Sequence, residues 1–338
     1  MPASFTDDAL AQLERAHGDA LTLGRLIDAG IDRLPLPGSG HTLERWHVLA
    51  RVAAHDLSLV KLFEGHTDAL AILAELDARS TPPESRWGTW CAEPPDARVT
   101  ISAGGDEGTG WPPARLDGTK AWCSGAAQLT HAIVSCWNAA GEPCLAAVAL
   151  NQPGVIVTSE GWRAIGMAAS ASVDVRFEGA EAVQIGGAGD YVRRPGFWHG
   201  GAGIAACWLG GALGIARMTR RLCARAPDPH RLAHLGAIDV TVAGAAAVLR
   251  EAAAWIDLHP HADARDVALR SRLVVEQAAA TLMQHAGRAV GAAPLCRDAR
   301  FAHAMADLPV YLRQSHAERD LAALGQWVLD AEEPPWTL

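Results

Sequence analysis

Two changes in the spacing of apolar residues constrain the fold of this 338-residue chain more than any other feature. Up to residue 83, Leu, Ala and Val recur at spacings of three and four, as in amphipathic helices. Between residues 84 and 190, short apolar runs alternate with turn residues, which is typical of antiparallel strands in a sandwich or barrel. From residue 195 to 338, long helical patterns return. We therefore predict an α+β multidomain chain with an N-terminal helical domain (1–83), a middle antiparallel β-domain (84–190) and a C-terminal four-helix bundle (195–338).

Charge and cysteine usage argue against several function classes. The net charge is -9 and the pI about 5.8, and no Lys/Arg-rich run provides a basic face, so we expect no nucleic-acid partner. The seven cysteines show no CxxC pair and no His at zinc spacing, so we expect reduced thiols and no metal.

The acidic N-terminus lacks the apolar region of a signal peptide, and the apolar stretch 200–216 is shorter than a membrane span. We expect a cytoplasmic protein without a membrane partner. A high Ala, Arg and Gly content with little Lys indicates a bacterial source.

Six short peptides, taken in order, resemble the peptides that mark the acyl-CoA dehydrogenase family. They are WCAEP at 90–94, GTKAWCSG at 118–125, GMAASASVDVRF at 166–177, GGALGIAR at 210–217, QHAG at 284–287 and LCRDAR at 295–300. Each peptide is weak alone, but their common order over about two thirds of the chain is much more specific. The resemblance implies the three-part fold of that family: helices, a small β-domain and a helical bundle.

The resemblance also implies a flavin cofactor, FAD in most of the family, and a set of residues that bind it. It puts the Trp122 indole beside the isoalloxazine ring, and the Ser124 hydroxyl within reach of the N5/O4 edge. Cys91 lies in the strand-end peptide of the cofactor site. Gln284 and Gly287 would approach the diphosphate or adenosine end of a flavin held by a neighbouring subunit. Without the resemblance, Trp122 is a core tryptophan, Ser124 a turn residue and Gly287 a helix C-cap.

The base of the family's reaction is missing from its usual position. Acyl-CoA dehydrogenases remove an α-proton with a glutamate nine residues after the arginine of the RD peptide, and counting from Arg297 gives Ala306. Asp307 follows, and a shift of one residue in the alignment makes it the candidate base. The alternative is that Asp307 is an N-cap or surface residue ahead of Pro309.

Part of the flavin cradle is also altered. Ala92 replaces a threonine, and residues 95–98 replace a glycine-serine turn, which removes hydrogen-bond donors worth about 1.5–3 kcal/mol each. Arg98 is a candidate substitute. The segment that usually supplies an arginine and an aromatic to the neighbouring subunit's flavin is shorter here, and Arg225 or Arg231 is the candidate for its role.

Three functions fit these observations. The first is a flavin-dependent oxidoreductase that acts on a small acyl or related substrate, such as an acyl-CoA, with a relocated base. The second is a flavin monooxygenase of the same fold, which needs no α-proton base and would handle protons with His199, His303 or His316. Each of these histidines has a surface or capping role as its alternative. The third is a binding module that has lost its flavin.

Small residues predict an assembly of identical subunits. The segment 200–217 and the run 243–247 are rich in Gly and Ala, which permits close helix packing. The resemblance implies a cofactor site that borrows residues across subunits, so we expect a homodimer or homotetramer through the C-terminal bundle. The alternative is that these small residues pack within one chain.

Overall fold

The computed structural model describes residues 3–76, 81–104, 113–333 and 336, with helices at both ends of the chain and strands between them. The helices are α1 (Ala3–His17), α2 (Leu23–Asp28), α3 (Thr42–His55), α4 (Leu57–Leu76), α5 (Asp190–Arg193), α6 (Pro195–Arg225), α7 (Pro229–Leu258), α8 (Arg265–Val290), α9 (Ala292–Arg297), α10 (Ala299–Tyr311) and α11 (Glu318–Asp330). The strands are β1 (Trp87–Trp90), β2 (Val99–Ala103), β3 (Pro113–Cys123), β4 (His131–Trp137), β5 (Pro143–Ala149), β6 (Val155–Val157) and β7 (Val173–Ile185). This order of helices and strands agrees with the sequence pattern.

The chain folds into two compact units, and their limits differ from the domain limits predicted from the sequence. The first unit is Met1–Leu34, Ser58–Ala164 and Ala168–Phe197, and the second is Pro35–Leu57, Ile165–Met167 and Trp198–Leu338. The N-terminal helices are therefore shared between the units. The division into three domains at residues 83 and 190 stays a prediction.

The sheet of the first unit closes on itself. Its pairings run from β4 through β2, β3, β7 and β5 back to β4, while β1 and β6 add at the sides. Most pairs are antiparallel, as predicted, but β1 and β2 pair with β4 in parallel. The central strands β4 and β5 are buried on both faces, which explains why they are continuous apolar runs rather than alternating ones.

Helix α4 covers part of this sheet. Ile72 and Leu73 of α4 join a buried cluster with Ile133 and Leu145 of β4 and β5 and with Ile185 of β7. These side chains are each at most 2% exposed. Burial of an aliphatic side chain of this size contributes about 1.5–3 kcal/mol, so the cluster fixes α4 on the sheet.

The second unit is helical, and α3 packs against α6 along three glycines, here called the glycine seam (Gly210, Gly211 and Gly214). A side chain at Gly210 would overlap the carbonyl of Ala50. A Cβ at Gly211 would lie 2.5 Å from the Leu57 side chain, and one at Gly214 2.8 Å from the Ala54 carbonyl. The small residues of this segment therefore pack within the chain, which is the alternative to a role in assembly.

Two helices are long and apolar enough to cross a membrane by length and composition, α6 and α7. The expectation that the stretch 200–216 falls short of a span was wrong about length, because it lies within the 31 residues of α6. In the most apolar window of α6, 72% is buried inside the protein, as in a core helix. The corresponding window of α7 is 17% buried, so α7 presents apolar residues outward.

Candidate functional site

Trp122 lies at the end of β3, where the pairing with β7 shifts register between Lys120 and Cys123. Its φ is 58°, in the left-handed region that a bulky side chain rarely adopts, and its side chain is 51% exposed. Such a bulge re-aims a side chain and is common beside functional sites. The indole therefore faces outward from the sheet, which excludes the alternative of a core tryptophan.

Near this tryptophan, the hydroxyl groups of three serines form a chain of hydrogen bonds. The Ser124 Oγ is 2.7 Å from the Ser172 Oγ, which is 2.9 Å from the Ser170 Oγ. All three residues are buried. The peptides at 118–125 and 166–177, which the sequence singled out separately, thus meet side by side. Ser170 and Ser172 are site residues that the sequence analysis did not name, although their S-x-S spacing lies in one of the six peptides.

Gly125 fixes the turn that follows Ser124. Its φ is 70°, its N–H donates to the Ser170 carbonyl at 2.8 Å, and a Cβ there would lie 2.8 Å from the Leu62 side chain of α4. A side chain at this position would therefore meet both backbone strain and steric overlap. The turn is thus held at the same time by the segment just before β7 and by α4.

A buried ion pair anchors the strand end behind the site. The Lys120 ammonium is fully buried, lies 2.6 Å from Glu93 Oε1 and donates to the Ser135 hydroxyl at 2.7 Å. Glu93 also accepts from the Trp137 indole at 2.9 Å. Burial raises the pKa of Glu93, but the hydrogen bonds from Lys120, Ser135 and Trp137 outweigh it and hold this pKa below its ordinary value. The ion pair between Lys120 and Glu93 thus joins the GTKAWCSG and WCAEP peptides. No sequence pattern had indicated that these two residues pair.

Cys91 is half-buried. It packs against the apolar cluster under α4, beside Tyr191, and burial raises the pKa of its thiol. A protonated thiol in this position fills space and is a poor nucleophile. That Cys91 contacts the cofactor stays a prediction. Such a contact would have to come from its backbone, because its side chain packs in the apolar cluster.

Two of the three arginines considered for the flavin cradle, Arg98 and Arg231, have other partners. The Arg98 guanidinium lies 4.2 Å from the Trp137 ring centroid, in a cation–π contact. Arg231 lies 3.3 Å from the Asp228 carboxylate, which caps α7. Arg225 is the exposed last residue of α6.

Asp307 occupies the second unit, within α10, and is half-buried. Its Oδ1 accepts the backbone N–H of Met167 at 2.5 Å, and a Cβ on Gly166 would overlap the Ala306 carbonyl. Burial raises the pKa of Asp307, and Asp56 raises it further, while the bond from Met167 and the nearby His303 lower it. The N-cap of α10 is Asp298, so the N-cap alternative for Asp307 was wrong.

The three candidate histidines lie in different surroundings. His199 is buried near the start of α6, and a Cβ on Gly38 would lie 2.8 Å from its ring. His303 is exposed on α10, one turn before Asp307. His316 is exposed and lies 3.5 Å from Asp320 in the first turn of α11. His303 and His316 are thus both accessible, His303 near the half-buried carboxylate of Asp307 and His316 near the buried carboxylate of Asp320.

Gln284 is exposed on α8, and Gly287 lies inside that helix rather than at its end. The helix ends at Val290, and Gly291, with φ 71°, is the C-cap. The C-cap alternative for Gly287 was therefore wrong. Beside these residues, the ring nitrogens of His285 and His234 are 3.0 Å apart.

A cavity of about 660 Å³ opens elsewhere in the first unit, at the opposite end of β3. Pro113, His131 and Ala149 are among its lining residues, and none of the predicted site residues is. The chemistry-bearing residues and this cavity are thus separate features. Among the residues that the structure describes, no group of three or more His, Cys, Asp or Glu is arranged to hold a metal ion.

The end of β3 with Trp122 and the adjacent Ser124, here called the Trp122 edge, has a geometry that fits a flavin ring. An exposed indole, held out by a strained backbone, provides a flat apolar wall, and a buried hydroxyl chain ends beside it at Ser124. These are the two elements, a wall and hydrogen-bonding groups at one edge, that a planar cofactor with a polar rim requires. Trp122 and Ser124 are brought together, whereas Gln284, Gly287, Arg225 and Asp307 belong to the second unit.

Similarity to known proteins is found by comparison of structures and not by comparison of sequences. No family's sequence profile matches the chain, and no curated protein sequence matches it. Dibenzothiophene monooxygenase TdsC from Paenibacillus sp. A11-2 superimposes with a TM-score of 0.78 at 19% identity, over 99% of this chain and 97% of that one. TdsC structures with FMN, and with FMN and indole, are also matched.

Two further solved structures are similar over almost their whole length. Methanesulfinate monooxygenase MsuC from Pseudomonas fluorescens has a TM-score of 0.78 at 19% identity, covering 100% of this chain and 99% of its own. KijD3 in complex with FMN and a dTDP-amino-keto-sugar has a TM-score of 0.76 at 18% identity, covering 99% and 96%. Identities this low establish the fold alone. These proteins are flavoenzymes of the acyl-CoA dehydrogenase fold, and the chain described here has that fold.

Proposed function

We propose that this protein is a flavin-dependent monooxygenase that uses reduced FMN and oxygen to oxidise a small molecule. The observation that carries the proposal is the Trp122 edge, where a 51% exposed indole in left-handed backbone stands beside the Ser124 hydroxyl chain. FMN in the complexes of TdsC and KijD3 supports FMN over the FAD that the sequence resemblance implies.

The second unit supports oxygenation over dehydrogenation. Ala306, at the position of the family's glutamate, has a methyl side chain that accepts no proton. Asp307 is already engaged, because its carboxylate accepts the Met167 N–H. A monooxygenase needs no carboxylate for an α-proton, so this arrangement is compatible with it.

In this proposal, Trp122 covers one part of the flavin ring and Ser124 bonds its polar edge. A bound reduced flavin supplies the two electrons with which oxygen is split between the substrate and water. His303 is the proposed proton-handling group, since an exposed imidazole can act as a general acid or base and this one lies one turn before Asp307. Gln284, Gly287 and Arg225 are proposed to meet the phosphate end of a flavin from a neighbouring subunit.

The surface of α7 supports the required assembly. Its exposed residues include many small and apolar ones, with the charged Asp239, Arg250 and Glu251 among them. The small and apolar ones are Leu232, Ala233, Gly236, Val240, Ala243, Gly244, Ala247, Ala254 and Leu258. Val240 is 73% exposed, and large exposed apolar patches mark interaction surfaces. We propose a homodimer or homotetramer through this helix, in a protein that works in the cytoplasm.

A dehydrogenase remains the second candidate because of one observation. Burial raises the pKa of Asp307, and a half-buried carboxyl of this kind is a conceivable base. An acyl-CoA substrate is then expected to bleach the bound flavin without oxygen.

The test begins with titration of the purified protein with FMN and FAD, followed by flavin absorbance and by quenching of flavin fluorescence. Reduced FMN is then mixed with oxygen and with indole, dibenzothiophene or methanesulfinate, and oxygenated product is separated from hydrogen peroxide. Product formation that is lost in Trp122→Ala supports the monooxygenase. Anaerobic bleaching by acyl-CoA, lost in Asp307→Asn, would support the dehydrogenase instead. A protein that binds neither flavin supports a binding module and refutes the proposal.

A further inference from the structure

The middle serine of the hydroxyl chain is held in place by unusual backbone. In an extended strand, residues two apart lie roughly 6.6 Å from each other, too far for their hydroxyls to bond. Ala171, between Ser170 and Ser172, has φ 41°, and this left-handed residue brings the two hydroxyl oxygens to 2.9 Å. Non-glycine residues in such conformations are strained and cluster at functional sites. The strain at Ala171 thus serves the hydroxyl chain.

Ser172 controls the direction of the hydrogen bonds in this chain. A hydroxyl has one proton to donate and can accept from two sides. Because Ser172 bonds both Ser124 and Ser170, it can donate to only one of them and must accept from the other. When Ser172 donates to Ser124, the Ser124 proton is free for an acceptor outside the chain. When Ser124 donates to Ser172, the Ser124 oxygen is left as an acceptor. Only O–H bonds rotate between the two arrangements.

We propose that Ser172 is a positioning residue that orients the Ser124 hydroxyl toward the flavin and lets it act as donor or acceptor as the flavin changes redox state. The inference rests on the proposed flavin site. The N5 atom of an oxidised flavin accepts a hydrogen bond, and that of a reduced flavin carries a proton and donates one. A reversible hydroxyl chain serves both states with no movement of heavy atoms. Burial of the chain excludes water from the links, which strengthens them and couples their directions.

The experiment is a double-mutant cycle on the affinity for FMN, measured by fluorescence titration in the oxidised and in the anaerobically reduced state. Its variants are Ser124→Ala, Ser172→Ala and the double variant. Loss of one hydrogen bond, about 0.5–1.5 kcal/mol, corresponds to a loss of affinity of roughly 2- to 12-fold. We expect Ser172→Ala to weaken both redox states by this factor, and to have no effect in the Ser124→Ala background.

A matched control separates positioning from loss of packing. Ser271 is a buried serine of α8 whose hydroxyl bonds the Val267 carbonyl at 2.8 Å, and Ser271→Ala is expected to lower thermal stability without changing FMN affinity. If Ser172→Ala does not fold, the nearly isosteric Ser172→Cys replaces it in the cycle.

Each other outcome overturns a stated part of the inference. Additive effects of the two serine substitutions mean that Ser172 does not act through Ser124. Weakening of one redox state alone means that the hydroxyl chain has a fixed direction. Wild-type protein that binds no flavin overturns the proposed function and this inference together, whereas wild-type binding with an unaffected Ser172→Ala variant overturns only the inference.

Discussion

Removal of the Glu93 carboxylate is expected to destabilise the protein more than a typical surface substitution would. In Glu93→Ala, the Lys120 ammonium keeps its bonds to the Ser135 hydroxyl and carbonyl but loses its counter-ion at 2.6 Å. The Lys120 side chain is 1% exposed, so water cannot replace the carboxylate. Breaking a buried ion pair from one side costs about 3–5 kcal/mol. Because Glu93 itself is one-third exposed, we expect the lower end, about 3 kcal/mol.

The assay is thermal unfolding of Glu93→Ala, Lys120→Met and the double variant Glu93→Ala/Lys120→Met. A loss of about 3 kcal/mol corresponds to a fall in Tm of roughly 6–12 °C for a chain of 150–250 residues, and to a smaller fall for a longer one. The double variant removes both charges, so we expect it to regain most of the loss. Equal destabilisation in Glu93→Ala and in the double variant would refute the argument, because packing rather than charge would then explain both.

The pH dependence follows from the lowered pKa of Glu93. A carboxylate with a depressed folded pKa contributes stability that is present above its ordinary pKa of 4.5 and is lost as the pH falls through the folded value. The stability difference between wild type and Glu93→Gln should therefore be constant near neutral pH and shrink in strong acid. A difference that grows on acidification would contradict the assigned charge state.

Three further predictions follow from the same structure. Trp122→Gly is expected to be more stable than Trp122→Ala by about 1 kcal/mol, because φ 58° favours glycine, and both are expected to lose flavin binding; equal Tm values would contradict the strain. Asp307→Asn is expected to keep the Met167 contact and most monooxygenase turnover. Because burial raises the folded pKa of Asp307, wild type loses stability as the pH rises from 3.8 through that pKa, and Asp307→Asn should not show this loss in pH-dependent unfolding. Val240→Glu on α7 is expected to dissociate the assembly in light scattering, whereas Ile156→Glu on β6 serves as a control that leaves it intact; a monomeric wild type would refute the interface.

Apolar spacing predicted the order of helices and strands because it depends on local periodicity, which a single sequence displays. The same spacing missed that α3 belongs with the C-terminal helices. That association depends on glycines about 160 residues further along the chain and not on any local signal. The alternative role of Gly287 as a helix C-cap was wrong, because Gly287 lies inside α8 and it is Gly291, with a positive φ, that caps this helix.

The candidate site was predicted in part. Motif order identified Trp122 and Ser124, which the structure places together. The roles of Glu93 and Lys120 were missed because their contact joins residues 27 positions apart, and neither peptide alone indicates a partner. The motif spacing identified Asp307 as a candidate base. It could not predict the hydrogen bond from Met167, because the two residues are 140 positions apart.

The glycine seam has a consequence for the motions of the second unit. Where backbone meets backbone without intervening side chains, neither helix can adjust by changing rotamers, so α3 cannot loosen while α6 stays folded. Proteins open locally in cooperative units, and segments that cannot move independently belong to the same unit. In native-state hydrogen exchange, the amides of α3 are therefore expected to open with those of the middle of α6, as one unit assembled from segments far apart in the chain.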